Sequence, residues 1–138
     1  MLFRSASVTP SLLKNWYQSW GVLEWITTPC PECGSSTSKL YAALAAHFPN
    51  DRMALLSSLQ DAVIRGFYGM QGPAFQTALL ALSTDELDPL PHFHRFFVSG
   101  ATHTMLGSPS AYTTKGVVLW TFITQMITDD PAWTTIEP

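Results

Sequence analysis

The sequence has few charged side chains, only two cysteines and no long apolar run. Charged residues make up 12% of the 138 positions, and the seven lysines and arginines are scattered along the chain. A protein that binds nucleic acid needs a basic face for phosphate groups, so we expect no nucleic-acid partner. Polar residues, glycine or proline interrupt every apolar stretch well before the roughly 18 residues that a membrane-spanning helix needs. We therefore expect no membrane span.

The residues that are present favour a folded protein. Hydrophobic residues make up 46% of the chain and aromatic residues 12%, and the net charge is −3. A chain of this length forms one domain or part of one. Residues 1–5 read like a translated sequencing adapter joined to a coding fragment, although a short native start is the alternative. We therefore expect a non-native start at 1–5 and part of a domain at 6–138.

Apolar runs predict two buried strands. One covers residues 53–59, and the other begins at Phe93 and is closed by Ser99 and Gly100. Alternation of helices and strands favours parallel strands with right-handed crossovers, so the fold class is α/β. Two strands form no complete sheet, and we expect a poorly soluble fragment of a larger α/β domain. Helical patterns fall at residues 10–20, 37–47, 62–68, 74–82 and about 113–127, with a polar connector at 83–89 and an aperiodic tail at 129–138.

A carboxylate and an imidazole follow the two predicted strands. Asp61 comes after the first strand and His103 after the second. The carboxyl ends of parallel strands meet at one edge of a sheet, where α/β proteins place their chemistry. An aspartate that orients a histidine is part of a Ser-His-Asp triad. Two alternatives stay open: Asp61 is also a good N-cap for the next helix, and a single histidine is often structural.

No nucleophile accompanies this pair. A serine elbow needs the motif G-x-S-x-G on a turn from strand to helix. The sequences Gly34-Ser35-Ser36 and Gly107-Ser108-Pro109 lack the second glycine. The chain therefore offers an acid and a base without a residue for them to activate.

Cys30 and Cys33 form the one C-x-x-C motif of the chain. A local disulfide is the simplest interpretation and indicates an oxidising compartment. Zinc would need more ligands, for which His92 or His94 are candidates, and thioredoxin-type chemistry would need the motif at a helix start after a strand. We read His92 and His94 as surface residues on one face of a strand, and we expect no metal.

Two segments resemble a known enzyme family. The sequence D-x-V-I-x-x-F at 61–67 and the sequence G-x-x-H-T-x-L at 100–106 are similar to the carboxyl-terminal part of pectin acetylesterases and Notum-type α/β hydrolases. The segment with Trp16, Cys30 and Cys33 and the segment at 117–133 are similar too, but less specifically. The resemblance covers nearly all of the chain after Ser5 and only the last part of such an enzyme.

The resemblance implies a fold and a function. It implies a doubly wound α/β-hydrolase sheet in which Asp61 is the acid and His103 the general base of a serine esterase. The serine and the oxyanion-hole glycines would precede this region, so the chain alone would be inactive and its partner would be the missing amino-terminal half. The implied substrate is an ester, commonly an acetylated carbohydrate, with no cofactor, in a secreted or periplasmic protein. A zinc-binding module and a helical protein-interaction module remain the alternatives.

Overall fold

The computed structural model describes residues 18–34 and 36–138, apart from the side chains at 22 and 23. The chain divides into two units. Unit 1 holds the residues up to Asp51 together with Thr77–Pro91, and unit 2 holds Arg52–Gln76 and His92–Pro138. The predicted start at 1–5 and most of the predicted helix at 10–20 lie outside the described residues, although 18–20 are helical. No helix within the described ranges is long and apolar enough to cross a membrane.

The fold mixes helices with two small sheets. Single turns of 3₁₀-helix lie at Pro31–Gly34 and Pro109–Ala111, and a π-helix lies at Ser83–Leu87. The other elements, in chain order, are α1 (Val22–Ile26), α2 (Lys39–His47), β1 (Met53–Ser58), α3 (Ala62–Phe67), α4 (Gly72–Leu82), β2 (Phe93–Val98), β3 (Thr113–Thr114), β4 (Val117–Val118) and α5 (Leu119–Ile127).

In unit 2, β1 and β2 pair in parallel, as their sequences predicted. The register runs from Met53 opposite Phe93 to Ser58 opposite Val98. The far edge of β2 is occupied by the tail that had no periodic pattern. The N–H of Phe97 donates to the carbonyl of Ile136 at 2.9 Å, and the N–H of Ile136 donates to the carbonyl of Arg95 at 2.8 Å. No described residue pairs with the opposite edge of β1.

An aromatic core lies between this sheet and α5. Phe122 on α5 has its ring centroid 5.4 Å from that of Phe96 on β2 and 5.7 Å from that of Trp133 in the tail. All three residues are buried, because the apolar stripe of α5 faces the strand. Arg52 donates hydrogen bonds to the carbonyls of Gln125 and Asp130, near the end of the helix where backbone acceptors lack helical partners. These contacts hold β2, α5 and the tail together.

The last helix begins later than its pattern predicted. Residues 113–118 form the hairpin of β3 and β4 instead of a first helical turn. Lys115 and Gly116 have φ values of 49° and 79°, and a two-residue hairpin turn with both φ angles positive needs such residues, glycine most of all. The prediction of a helix from about residue 113 was therefore wrong over its first six residues.

The polar connector after α4 is helical as well, in unit 1. It forms the π-helix, in which Glu86 is buried and hydrogen-bonded rather than exposed. The hydroxyl of Ser38 donates to Oε1 of Glu86 at 3.1 Å, and Nζ of Lys39 donates to Oε2 at 3.0 Å. These bonds join the π-helix to the start of α2. A sequence pattern of polar residues cannot distinguish a solvated loop from a segment whose buried carboxylate has two partners elsewhere in the chain.

Candidate acid–base site

Asp61 lies just beyond the carboxyl end of β1 and begins α3. Its Oδ1 atom accepts hydrogen bonds from the N–H groups of Val63 and Ile64, at 3.0 and 2.8 Å. These bonds satisfy two amides that have no partner inside the helix, which is the role of an N-cap. The carboxylate is almost completely buried, with a side-chain exposure of 4%. Its second oxygen, Oδ2, is not used by the cap.

His103 lies beyond the carboxyl end of the neighbouring strand β2. The chain leaves that strand through Gly100, whose φ of 97° is a conformation that other residues rarely adopt. Nδ1 of His103 then lies 3.0 Å from Oδ2 of Asp61, within hydrogen-bonding distance. The structure thus brings together the two residues that the sequence placed on successive strand ends. Asp61 is both a helix cap and a histidine partner, one oxygen for each.

The two loops are also joined by their backbones. The N–H of Leu59 donates to the carbonyl of Val98, that of Gln60 to Gly100, and that of Ala62 to Ala101, at distances of 2.8 to 2.9 Å. The parallel ladder of the sheet therefore continues past the ends of both strands. Because of this continuation, the Asp61 and His103 segments run side by side.

This geometry selects one form of the imidazole. A neutral histidine carries its proton on one ring nitrogen, and the buried carboxylate favours the proton on Nδ1. The other nitrogen, Nε2, then has a free lone pair and can accept a proton. Among the described residues Nε2 has no hydrogen-bond partner, and the side chain of His103 is 40% exposed. Such a pair can act as a general base towards a hydroxyl group or a water molecule.

The cysteines belong to unit 1. Cys30 and Cys33 are joined as a disulfide, the simplest of the interpretations from sequence. Sulfur in a disulfide cannot bind zinc, which requires the thiolate. Within residues 18–34 and 36–138, no three His, Cys, Asp or Glu side chains are grouped as a metal site. The zinc-binding alternative therefore gains no support from these two residues.

The two other histidines of unit 2 have different surroundings. His92 is exposed, as predicted, whereas His94 is partly buried with its ring centroid 4.4 Å from that of Trp133. Burial lowers the pKa of His94 from its usual value, and the positive charges of Arg52 and Arg95 and the neighbouring His92 lower it further. His94 is therefore a packed residue of the tail contact and not part of the acid–base site.

A cavity of about 340 Å³ opens next to the His103 segment in unit 2. Its lining is rich in hydroxyl groups and holds one ammonium group, that of Lys115. Thr102, which directly precedes His103, is part of this lining, so the cavity adjoins the candidate site. The residues that line it include Val98, Ser99, Thr102, Tyr112, Thr113 and Lys115.

One residue of the site was missed from sequence. Ser58, the last residue of β1, is fully buried and its hydroxyl donates to the carbonyl of Thr102. The only sequence signal is a pair of serines, Ser57 and Ser58, at the end of an apolar strand. That signal does not say which hydroxyl faces the neighbouring loop.

Comparison of the chain with known proteins found no match. No protein-family model, curated protein or solved structure matches the chain. The resemblance to pectin acetylesterases and Notum-type hydrolases therefore remains a prediction that depends on two short motifs. The contact between Asp61 and His103 is the observation that any function must explain.

Proposed function

We propose that Asp61 and His103 are the acid and the general base of a Ser-His-Asp esterase. The observation that carries the proposal is the 3.0 Å contact between Oδ2 of Asp61 and Nδ1 of His103. Burial of the carboxylate, exposure of the imidazole and an Nε2 that no described residue bonds are the properties that a triad needs in its acid and its base. The resemblance to the pectin acetylesterase family supports the same two roles.

The chemistry would proceed in two acyl-transfer steps. Nε2 of His103 takes the proton of a serine hydroxyl while Oγ of that serine attacks the ester carbonyl. The imidazolium, held by the Asp61 carboxylate, gives this proton to the departing alcohol as the ester C–O bond breaks. Water then repeats the sequence on the acyl-enzyme, releasing the acid and the serine. Asp61 remains ionised throughout and fixes the tautomer and the orientation of His103.

The serine would come from a segment outside the described residues. No serine of the chain stands in a G-x-S-x-G elbow. The edge of β1 that no described residue covers supports this part of the proposal, because further strands of a doubly wound α/β-hydrolase sheet could pair there. The polypeptide of 138 residues would then be inactive by itself and would act together with the remainder of that domain.

For the substrate and the compartment we propose an acyl ester, commonly of a carbohydrate, and a secreted or periplasmic location. The hydroxyl-rich cavity beside Thr102 is suited to a polar alcohol group, which supports a carbohydrate ester. The Cys30–Cys33 disulfide supports an oxidising compartment. The chain's own residues need no cofactor for this chemistry.

The experiment is to express the reading frame extended upstream of Ala6 and to label it with a fluorophosphonate, which reacts with activated serines. We expect one labelled serine, in a G-x-S-x-G sequence, and hydrolysis of p-nitrophenyl acetate. His103→Gln should abolish labelling, and Asp61→Asn should lower kcat by about 10⁴-fold. His92→Gln is the matched control because His92 is exposed in the same unit, and it should leave both signals unchanged.

A failure to find a labelled serine that depends on His103 would favour a structural role for Asp61 and His103. Asp61 already caps α3, so an aspartate retained only for that purpose would also be buried. In that case no serine elbow would be found upstream, or a labelled serine would react equally well in His103→Gln. Either outcome would remove the esterase proposal and leave the Asp61–His103 contact as a loop anchor.

A further inference from the structure

Ser58 connects the ends of the two strands that carry the candidate site. It lies at the carboxyl end of β1, three positions before Asp61, and its side chain is completely buried. Its Oγ donates to the carbonyl of Thr102 at 2.5 Å. Thr102 is the residue immediately before His103. One hydroxyl group therefore reaches from the strand that leads to the acid to the peptide that carries the base.

The bond of Ser58 completes the series of backbone contacts between the two segments. The last backbone hydrogen bond of the series ends at the carbonyl of Ala101, which accepts from Ala62. The carbonyl of Thr102 is the next acceptor along the chain, and Ser58 supplies its donor. Beyond it, Tyr112 donates to the carbonyl of Thr104 only at 3.4 Å, near the limit of a hydrogen bond. Ser58 thus holds the peptide closest to the imidazole.

A nucleophilic role for Ser58 does not fit these contacts. The side chain is completely buried, and its proton is directed at a carbonyl and not at Nε2 of His103. Attack on a substrate would need an accessible oxygen next to the base. Its neighbour Ser57 is a useful comparison, because it is also buried but donates to the carbonyl of Ser58 within its own strand.

We propose that Ser58 is a positioning residue, which holds the Thr102 carbonyl and thereby keeps Nδ1 of His103 in contact with Asp61. Without the hydroxyl, the Thr102 carbonyl loses its donor, and the side chain of the following residue keeps the carboxylate of Asp61 as its one hydrogen-bond partner among the described residues. His103 then samples rotamers in which Nδ1 faces away from Oδ2. That this position matters for catalysis rests on the proposed esterase function; the positioning itself does not.

The test is to compare Ser58→Ala with Ser57→Ala in the 138-residue chain carrying ¹⁵N-labelled histidine. Ring ¹⁵N shifts, measured by magic-angle-spinning NMR at a pH where the imidazole is neutral, report which nitrogen of His103 holds the proton. The original chain and Ser57→Ala should show His103 with the proton on Nδ1 and bonded to Asp61. Ser58→Ala should lower the ratio of bonded to unbonded His103 about fivefold, as expected for the loss of one hydrogen bond.

A second variant, Ser58→Cys, separates the loss of the hydrogen-bond donor from the loss of side-chain volume. Ser58→Cys keeps a side chain of two heavy atoms, with a larger outer atom that is a much weaker donor, so it should reproduce the change in the His103 spectrum even where Ser58→Ala does not fold. The proposal is wrong if the His103 signal is unchanged in Ser58→Cys or in folded Ser58→Ala. It is also wrong if Ser57→Ala alters the signal equally. These readouts do not depend on esterase activity, so a negative serine-labelling result would leave them intact.

Discussion

The two carboxylate oxygens of Asp61 have different partners, so replacing one of them tests the role of each. Oδ1 accepts the two amides at the start of α3, whereas Oδ2 faces Nδ1 of His103. In Asp61→Asn the single carbonyl oxygen must stay at the cap, because an amide N–H₂ group cannot accept from Val63 and Ile64. The N–H₂ group is then directed at His103.

The first prediction follows from that constraint. Asp61→Asn should invert the tautomer of His103, since Nδ1 must now accept and the proton moves to Nε2. Asparagine is as good an N-cap as aspartate, so the free energy of unfolding should fall by about 1 kcal/mol or less. Histidine ¹⁵N NMR measures the tautomer, and urea unfolding measures the stability.

Asp61→Ala is the control for the first prediction. It removes the cap together with the histidine partner, so it should lose about 1 kcal/mol from the cap alone and more in total. An Asp61→Asn protein that kept the Nδ1 proton would contradict the assignment of the two oxygens. Unchanged stability in Asp61→Ala would show that the cap bonds contribute nothing.

The second prediction concerns His94 and pH. Burial, with the positive charges of Arg52 and Arg95 and the neighbouring His92, lowers the pKa of His94 in the folded protein below the usual 6.5. The unfolded chain therefore binds a proton at a pH where the folded chain does not. The contribution of His94 to the free energy of unfolding is therefore fully present above pH 6.5, and it is lost as the pH falls through the lower pKa of the folded state. Unit 2 should become less stable on acidification.

Urea unfolding at pH 7.5 and pH 5 measures this effect. His94→Phe keeps an aromatic ring against Trp133 but cannot be protonated, so its stability should fall less between the two pH values. His92→Gln removes the smallest of the influences that lower the pKa of His94, so its stability should fall only slightly less than that of the original chain. Equal losses in His94→Phe and the original chain would show that other groups cause the acid sensitivity.

At the scale of elements, the contact of α5 with β2 sets the stability of unit 2. Phe122 is fully buried between Phe96 and Trp133, whereas Trp120 on the same helix is 56% exposed. The third prediction is that Phe122→Ala lowers the free energy of unfolding by about 3–5 kcal/mol, because it leaves a cavity in the aromatic cluster. Trp120→Ala should change it by only about 0.5 kcal/mol. Chemical denaturation followed by circular dichroism compares the two variants.

The elements also show which patterns can be read from a sequence. Both strands, α3 and most of α4 were predicted from local periodicity and nearby glycines, because each pattern is contained within about ten residues. The beginning of α5 was not, since the β-branched residues at 113–114 and 117–118 fit a hairpin as well as a helix until the turn at Lys115 and Gly116 is recognised. The buried Glu86 of the π-helix was not predicted either, because its partners lie 47 and 48 positions earlier in the chain.

At the scale of the whole molecule, the edge of β1 that no described residue covers is the place where we expect one chain to associate with another. The N–H groups of Met53 and Leu59 donate to carbonyls of the β2 segment. In a parallel ladder the N–H groups of every second residue point to the same neighbouring strand, so the N–H of Leu55 also points to β2. Ala54 and Leu56 therefore direct their N–H groups to the edge that no described residue covers. Such an edge pairs readily with another chain, and we expect the 138-residue protein to be poorly soluble.

The fourth prediction tests that edge with two prolines. Ala54→Pro removes an N–H from the open edge and should reduce aggregation, measured by light scattering at increasing protein concentration. Leu55→Pro removes a hydrogen bond of the β1–β2 ladder instead, and should destabilise the fold and increase aggregation. A soluble chain with a sharp, reversible melting transition would contradict the expectation that the edge is exposed.

By itself, the sequence predicted which residues stand at the ends of the two strands, and from this we expected Asp61 and His103 to lie close together; the structure shows the contact. This was possible because strand length and loop glycines are local features, and alternating helices and strands favour parallel pairing, which brings the carboxyl ends of the strands together. Tertiary structure alone decided that Ile136 adds to the edge of β2 and that the hydroxyl of Ser58 holds Thr102. Those contacts join residues about 40 positions apart, and they exist only once the register of the sheet has placed a donor opposite an acceptor.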